Sequence, residues 1–143
     1  MGIIKLLITG CAGFIGYHLC QKLLGSGLEV IGIDNLTPYY QVKLKRDRLQ
    51  QLTQNSNFTY YQFDIQDVES LGRLFEVHKI PTVVNLAGQA GVRHSIDNPN
   101  AHIQSNIIGF FNILEVCRYH QIEHLVYASS SSVYGLNSKI PLV

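Results

Sequence analysis

Gly10, Gly13 and Gly16, spaced G-x-x-G-x-x-G in ITGCAGFIG, stand where the apolar run Ile3 to Ile8 gives way to a helical pattern. Such a trio serves a tight turn off a strand end, a backbone approach unobstructed by Cβ atoms, and close packing of the next helix on the strand. The N–H groups and positive end of that helix then face an anion, so a pyrophosphate can be bound without a cationic side chain. A dinucleotide site also calls for an acid at the end of the second strand, about 20 residues past the loop. Here the run Val30 to Ile33 ends in Asp34. A carboxylate there accepts hydrogen bonds from the adenosine ribose hydroxyls and repels a 2′-phosphate, and no basic residue immediately follows it. NAD is therefore expected in preference to NADP.

Further along, Asp64-Ile65, Ala87-Gly88 and the hydroxyl run Ser129 to Ser132 each follow an apolar strand-like segment. Asp64 could accept the adenine amino group with Ile65 packed on the ring, or could simply start the next turn. Ala87-Gly88 would let backbone approach the middle of the ligand. Gln89, Arg93 and His94 lie just beyond, on a loop suited to face a substrate.

The elements that position these residues alternate. Ile15, Leu19, Leu23 and Leu24 mark one face of a helix over Phe14 to Leu24, stopped by Gly25 and Gly27. Residues 58–63 are aromatic and β-prone, and Asp67 reads as the N-cap of a helix carrying Val68, Leu71, Leu74 and Phe75. Pro81 precedes a strand over Thr82 to Ala87. Ile103, Ile107, Phe110, Leu114 and Cys117 recur at spacings of three and four, predicting one long helix with an apolar face. A fifth strand covers His124 to Ser129. The pattern predicts an α/β fold: a doubly wound parallel (Rossmann) sheet in the order 3-2-1-4-5, helices on both faces, with the glycine loop at the switch point.

Composition agrees with one compact domain. The 143 residues are 46% hydrophobic, with a formal net charge of +1, and the mean hydropathy is +0.10. Nucleic acid is not an expected partner, and the cluster Lys43, Lys45, Arg46 and Arg48 reads as a solvated helix face. Cys11, Cys20 and Cys117 read as free thiols in a reducing compartment. The short apolar run before Cys11 does not make a signal peptide, Leu6 excludes a myristoylation box, and no run approaches a membrane span. No membrane partner and a cytoplasmic location are expected. His120 and His124 lack companions at ligand spacing, so no metal site is expected.

Three segments, AGQAGVRHSIDNP, SNIIGFFNILEVCR and HLVYASSSSVYG, together with the glycine loop, resemble the extended short-chain dehydrogenases/reductases. Within them the chain is similar to the NAD-dependent nucleotide-sugar epimerase/dehydratase family, over residues 3 to 141, and comes nearest to the 4-epimerases that act on UDP-glucuronate. The resemblance implies NAD as cofactor, a UDP-sugar substrate and a place in nucleotide-sugar metabolism and polysaccharide biosynthesis. It puts Gly10, Gly13, Phe14, Ile15 and Gly16 on the pyrophosphate and Asp34 and Asn35 at the adenosine ribose. Asp64 and Ile65 fall at the adenine, Ala87 and Gly88 under the cofactor, and Ser105, Asn106 and Ser129 beside it. Gln89, Arg93, Ser130 and Ser131 face the sugar, with Ser130 as the catalytic-site hydroxyl that bonds the sugar 4-hydroxyl. Related dehydratases place an Asp-Glu pair directly after that hydroxyl. Ser131 and Ser132 occupy those positions here, which disfavours a 4,6-dehydratase.

The family's base is a Tyr-x-x-x-Lys pair on the helix after strand five, in which the Lys lowers the Tyr pKa. Residues 1–143 would then be the NAD-binding domain, ending before that helix and before the substrate domain. Tyr39-x-x-x-Lys43 lies on the adenosine side and Tyr134 has no Lys four residues on, so neither supplies the pair. The alternatives are a non-catalytic NAD-binding module, a truncated product, or another epimerase, decarboxylase or dehydratase of the family. An uncovered sheet edge and the face of Ile103, Ile107, Phe110 and Leu114 would favour self-association.

Overall fold

The computed structural model describes residues 4–136. Ile3 of the expected first strand and the segment 137–143 lie outside the described residues. The sheet has five parallel strands, β1 (Lys5–Thr9), β2 (Glu29–Ile33), β3 (Phe58–Tyr61), β4 (Thr82–Asn85) and β5 (His124–Tyr127), in the order β3-β2-β1-β4-β5. The expected topology is observed. Three strands stop short of their expected ends, at Tyr61, Asn85 and Tyr127, because the chain turns off the ladder there to form the ligand-facing loops.

Strand alternation divides the core in two. Leu6 and Ile8 of β1 join Val30 and Val84 on one face, where α1 (Phe14–Gly25) and α2 (Val42–Leu52) contribute Tyr17, Cys20, Leu24, Leu49 and Leu52. Leu7 joins Ile31, Ile33 and Val83 on the other, where α3 (Val68–His78) contributes Leu71, Leu74 and Phe75. Burial on both faces explains why the central strands read as continuous apolar runs rather than alternating ones. Asp67 caps α3 as expected, its side chain accepting from the Ser70 N–H at 3.0 Å.

The expected long helix is broken into pieces. Short helices α4 (Val92–Asp97) and α5 (Pro99–His102) lead into a π-helical turn, Ile103–Gly109, and then α6 (Phe110–Tyr119). The π turn inserts an extra residue into the helical repeat and rotates the later residues off the expected face. Gly109, Asn112, Ile113 and Cys117 therefore meet the core. Ile103, Ile107 and Leu114, expected on one apolar face with Phe110 and Cys117, are exposed, and Phe111 joins them. Gly109 is where the π turn presses on the core: a Cβ there would lie 2.6 Å from Ile65.

Candidate functional site

The glycine loop is built by close contacts that only glycine permits. Gly10 has φ +69°, and a Cβ there would fall 2.9 Å from the Ala87 nitrogen; a Cβ on Gly16 would fall 2.2 Å from the Gly10 carbonyl oxygen. The loop is tied to β2 by Gly10 and Cys11 N–H bonds to the Ile33 carbonyl, at 2.8 and 3.2 Å. Gly13 is the N-cap of α1 and brings no side chain to it. Helix geometry leaves the N–H groups of the first turn, at Phe14, Ile15 and Gly16, without intrahelical acceptors. Phe14 and Ile15 are two-thirds exposed, at 67% and 65%, so this positive end opens to ligand rather than to core.

Asp34 sits at the β2 end, 7% exposed. Its Oδ2 accepts from the Ala12 N–H at 3.2 Å and its Oδ1 from the Leu36 N–H at 2.8 Å. Oδ2 keeps a second acceptor site. The third partner of Asp34 comes from α2: the Lys45 ammonium lies 3.5 Å from Oδ1, with both side chains about as buried, at 6% and 5%. Lys45 is thus not part of a solvated face. Arg48 is also turned inward, donating to the Ala12 carbonyl and the Tyr40 hydroxyl, each at 3.1 Å. Lys43, paired with Asp47 at 2.7 Å, and Arg46 are the exposed cations of the cluster, as expected.

A cavity of about 410 Å³ opens beside Asp34. It is lined by Gly10, Gly13, Asp34, Asn35, Asp64 and Ile65, and across from them by Ala87, Gly88, Gln89 and Ser105. Asp64 takes the turn-starting role and lines the cavity as well. Its Oδ1 closes a turn with the Gln66 N–H at 2.9 Å, while Oδ2 accepts from Asn35 Nδ2 at 2.6 Å on the cavity wall. Ile65 lines the cavity while packing into the core under the π turn, 4% exposed. Asn112 of α6 holds this loop by donating to the Ile65 and Gln66 carbonyls, at 3.1 and 3.2 Å.

A second cavity, about 650 Å³, shares Leu86 to Gln89 with the first and ends at Tyr127, Ala128, Ser129 and Ser130. Asn106 of the π turn clamps the shared loop, accepting from the Gln89 N–H at 2.7 Å and donating to the Gln89 carbonyl at 2.8 Å. It is a positioning residue for that loop. Ser131 is in the 3-10 turn Ser131–Tyr134 and lines neither cavity. Arg93 is exposed on α4, outside both, and His94 turns instead to His102 and Tyr39. Tyr39, of the Tyr39-x-x-x-Lys43 spacing, lines the cavity beside Asp34.

The three cysteines are free and buried. Burial pushes the Cys11 thiol well above its ordinary value, with the neighbouring Cys20 and Asp34 adding to the effect. Cys20 is pushed up to about 12 and Cys117 to about 11, both by burial. Among the described residues, no cluster of His, Cys, Asp or Glu is placed to hold a metal, and no helix is long and apolar enough to cross a membrane.

Comparison with known proteins places the same segments in a family. Residues 7–143 match the family described as GDP-mannose 4,6 dehydratase. The chain is 51% identical over 137 residues to Protein CapI of Staphylococcus aureus, covering 96% of this chain and 41% of that protein. It is 46% identical over 139 residues to UDP-glucuronate 4-epimerase 2 of Arabidopsis thaliana, covering 96% of this chain and 32% of that one. Among solved structures, a variant UDP-glucuronic acid 4-epimerase from Bacillus cereus, in complex with a fluorinated UDP-glucuronic acid and NAD, superposes with a TM-score of 0.84. It is 36% identical, covering 98% of this chain and 45% of that one. The chain thus spans less than half the length of these relatives.

Proposed function

The chain belongs to the NAD-dependent epimerase/dehydratase family, and from that premise we propose that residues 1–143 are the NAD-binding portion of a nucleotide-sugar 4-epimerase acting on UDP-glucuronate. The observation that carries the reading is the pair of joined cavities. One lies beside Asp34 and the glycine loop, the other ends at Ser129 and Ser130, and together they follow the carboxyl edge of the sheet. The residues present fit the cofactor: glycines leave room for a pyrophosphate, the first turn of α1 offers N–H donors, and Asp34 retains an acceptor site on Oδ2 for a ribose hydroxyl.

Bound NAD would supply the hydride acceptor and donor for sugar C4, by way of a 4-keto sugar. Ser130, at the rim of the second cavity, orients the 4-hydroxyl by hydrogen bonding. A serine hydroxyl is too weak a base to take that proton at neutral pH. The task falls to the family's Tyr-x-x-x-Lys pair, which residues 1–143 do not contain after β5. The dehydratase name of the family model does not extend to the chemistry here, since Ser131 and Ser132 carry no carboxyl group to drive elimination. A UDP-sugar partner, a cytoplasmic setting and self-association belong to the same proposal.

Calorimetric titration with NAD, followed by a turnover assay with UDP-glucuronate in a preparation free of host epimerase, tests it. The 143-residue chain is expected to bind NAD and form no UDP-galacturonate above an uncatalysed control. Absence of NAD binding contradicts the binding reading, and product formation contradicts the assignment of the base.

A further inference from the structure

Thr9 and Asn85, at the ends of the adjacent strands β1 and β4, form a buried polar pair whose hydrogen bonds can be accounted for one by one. The Thr9 hydroxyl oxygen accepts from the Leu86 N–H at 3.1 Å and the Ala87 N–H at 2.9 Å. Both of its lone pairs are then used. Its own O–H must donate, and the Asn85 side chain oxygen lies 2.6 Å away. This fixes which way round the Asn85 amide sits, because an NH₂ group in that place would find no acceptor on Thr9. Asn85 is 5% exposed, and its remaining NH₂ has no hydrogen-bond acceptor among the described residues. Asn85 also lines the second cavity, together with Ser129 and Ser130. No buried side-chain nitrogen or oxygen is left without a partner among the described residues, so the Asn85 NH₂, which bonds nothing in the protein, opens onto that cavity.

We propose that the Asn85 NH₂ is a ligand-binding donor, recognising an acceptor oxygen on the nicotinamide riboside half of the dinucleotide. The inference rests on the NAD reading above. Asn85 couples the two halves of the site: its oxygen holds Thr9, Thr9 holds the Leu86–Ala87 turn, and its nitrogen meets the ligand. The adenosine half of the ligand lies beside Asp34, at the far end of the groove.

Titrating the 143-residue protein with NAD and with ADP, which lacks the nicotinamide riboside half, separates these roles. Asn85→Asp keeps an oxygen for the Thr9 hydroxyl and removes the donor. It is expected to weaken NAD about tenfold and to leave ADP within about twofold. Asn85→Ser, too short to reach the cavity, is expected to show the same selective loss and serves if Asn85→Asp fails to fold. Thr9→Val, which breaks the turn itself, should weaken both ligands together. Equal losses of NAD and ADP in both Asn85 variants, or no loss in either, would overturn the proposal. If the unmodified chain binds ADP but not NAD, the dinucleotide reading is overturned and this inference with it.

Discussion

The two ends of the groove are built differently. Around β1, α1, β2 and α2 the main polar groups of the site are held from within the chain: Asp34 by Ala12, Leu36 and Lys45, and the glycine loop by Ile33 and Arg48. Around β5 the same sheet is open. Val126 is 45% and Tyr127 51% exposed, and Ile107 and Phe111 stand out from the helix beside it at 60% and 57%. Ser129 to Ser132 are all exposed. The Asp34 end is preorganised by the chain's own contacts, so its cost of ordering is met on folding. The opposite end has donors and acceptors in place but little enclosure, and draws the rest from ligand or from another surface.

The strongest way to break this contrast is at the closed end. Gly16→Ala drives a Cβ to 2.2 Å from the Gly10 carbonyl. NAD affinity is expected to fall at least about 100-fold, which corresponds to about 3 kcal/mol. Gly25→Ala, where nothing lies within 4 Å of the added Cβ, is the control and should bind NAD normally. Equal binding by both variants would mean that the loop is not as tightly built as described. Next in size is Lys45→Met, which leaves the Asp34 carboxylate buried without its cation and is expected to cost about 3 kcal/mol in urea unfolding. A loss below about 1 kcal/mol would make the pair a peripheral one.

At the open end, Phe111→Asp is expected to shift the chain toward monomer in light scattering without lowering its unfolding midpoint, since Phe111 is outside the core. Phe110 is the poorer probe, because its ring packs against Tyr127 at 5.0 Å. An unmodified chain that is monomeric at high concentration would contradict the self-association proposal. The smallest effect is in thiol reactivity. Raised thiol pKa values leave less thiolate at a given pH, so iodoacetamide at pH 8 should label Cys117, raised to about 11, before Cys20, raised to about 12, and the fully buried Cys11. Peptide mass spectrometry reads the order, and early labelling of Cys11 would mean that the glycine loop opens.

What could be read from the sequence was local. The glycine loop, the Asp34 strand end, the Asp67 cap and the five-strand order each depend on neighbouring residues or on a short period, and the structure bears out the order and the cap. Lys45 was obscured because a basic run on a helix looks solvated until the chain between β2 and α2 folds it back over Asp34. The face of the helix after β4 was misread because a π turn breaks the three-and-four spacing on which the reading rested. Asn85 and Asn112 were not singled out in sequence, and Asn106 was placed by resemblance beside the cofactor rather than as a clamp on the Gln89 loop. Their roles depend on partners 17 to 76 positions away.

Lys45 also sharpens the cofactor question. An ammonium 3.5 Å from Asp34 offsets part of the repulsion that would exclude a 2′-phosphate, so discrimination falls mainly to the shape of the site and to the acceptor site that Asp34 Oδ2 keeps for a hydroxyl. Parallel calorimetric titrations with NAD and NADP, on the unmodified chain and on Asp34→Ala, test this most directly. The account predicts NAD binding at least about tenfold tighter than NADP, a gap of about 1.4 kcal/mol, with NAD binding weakened in Asp34→Ala. NADP binding equal to or tighter than NAD in the unmodified chain would contradict it.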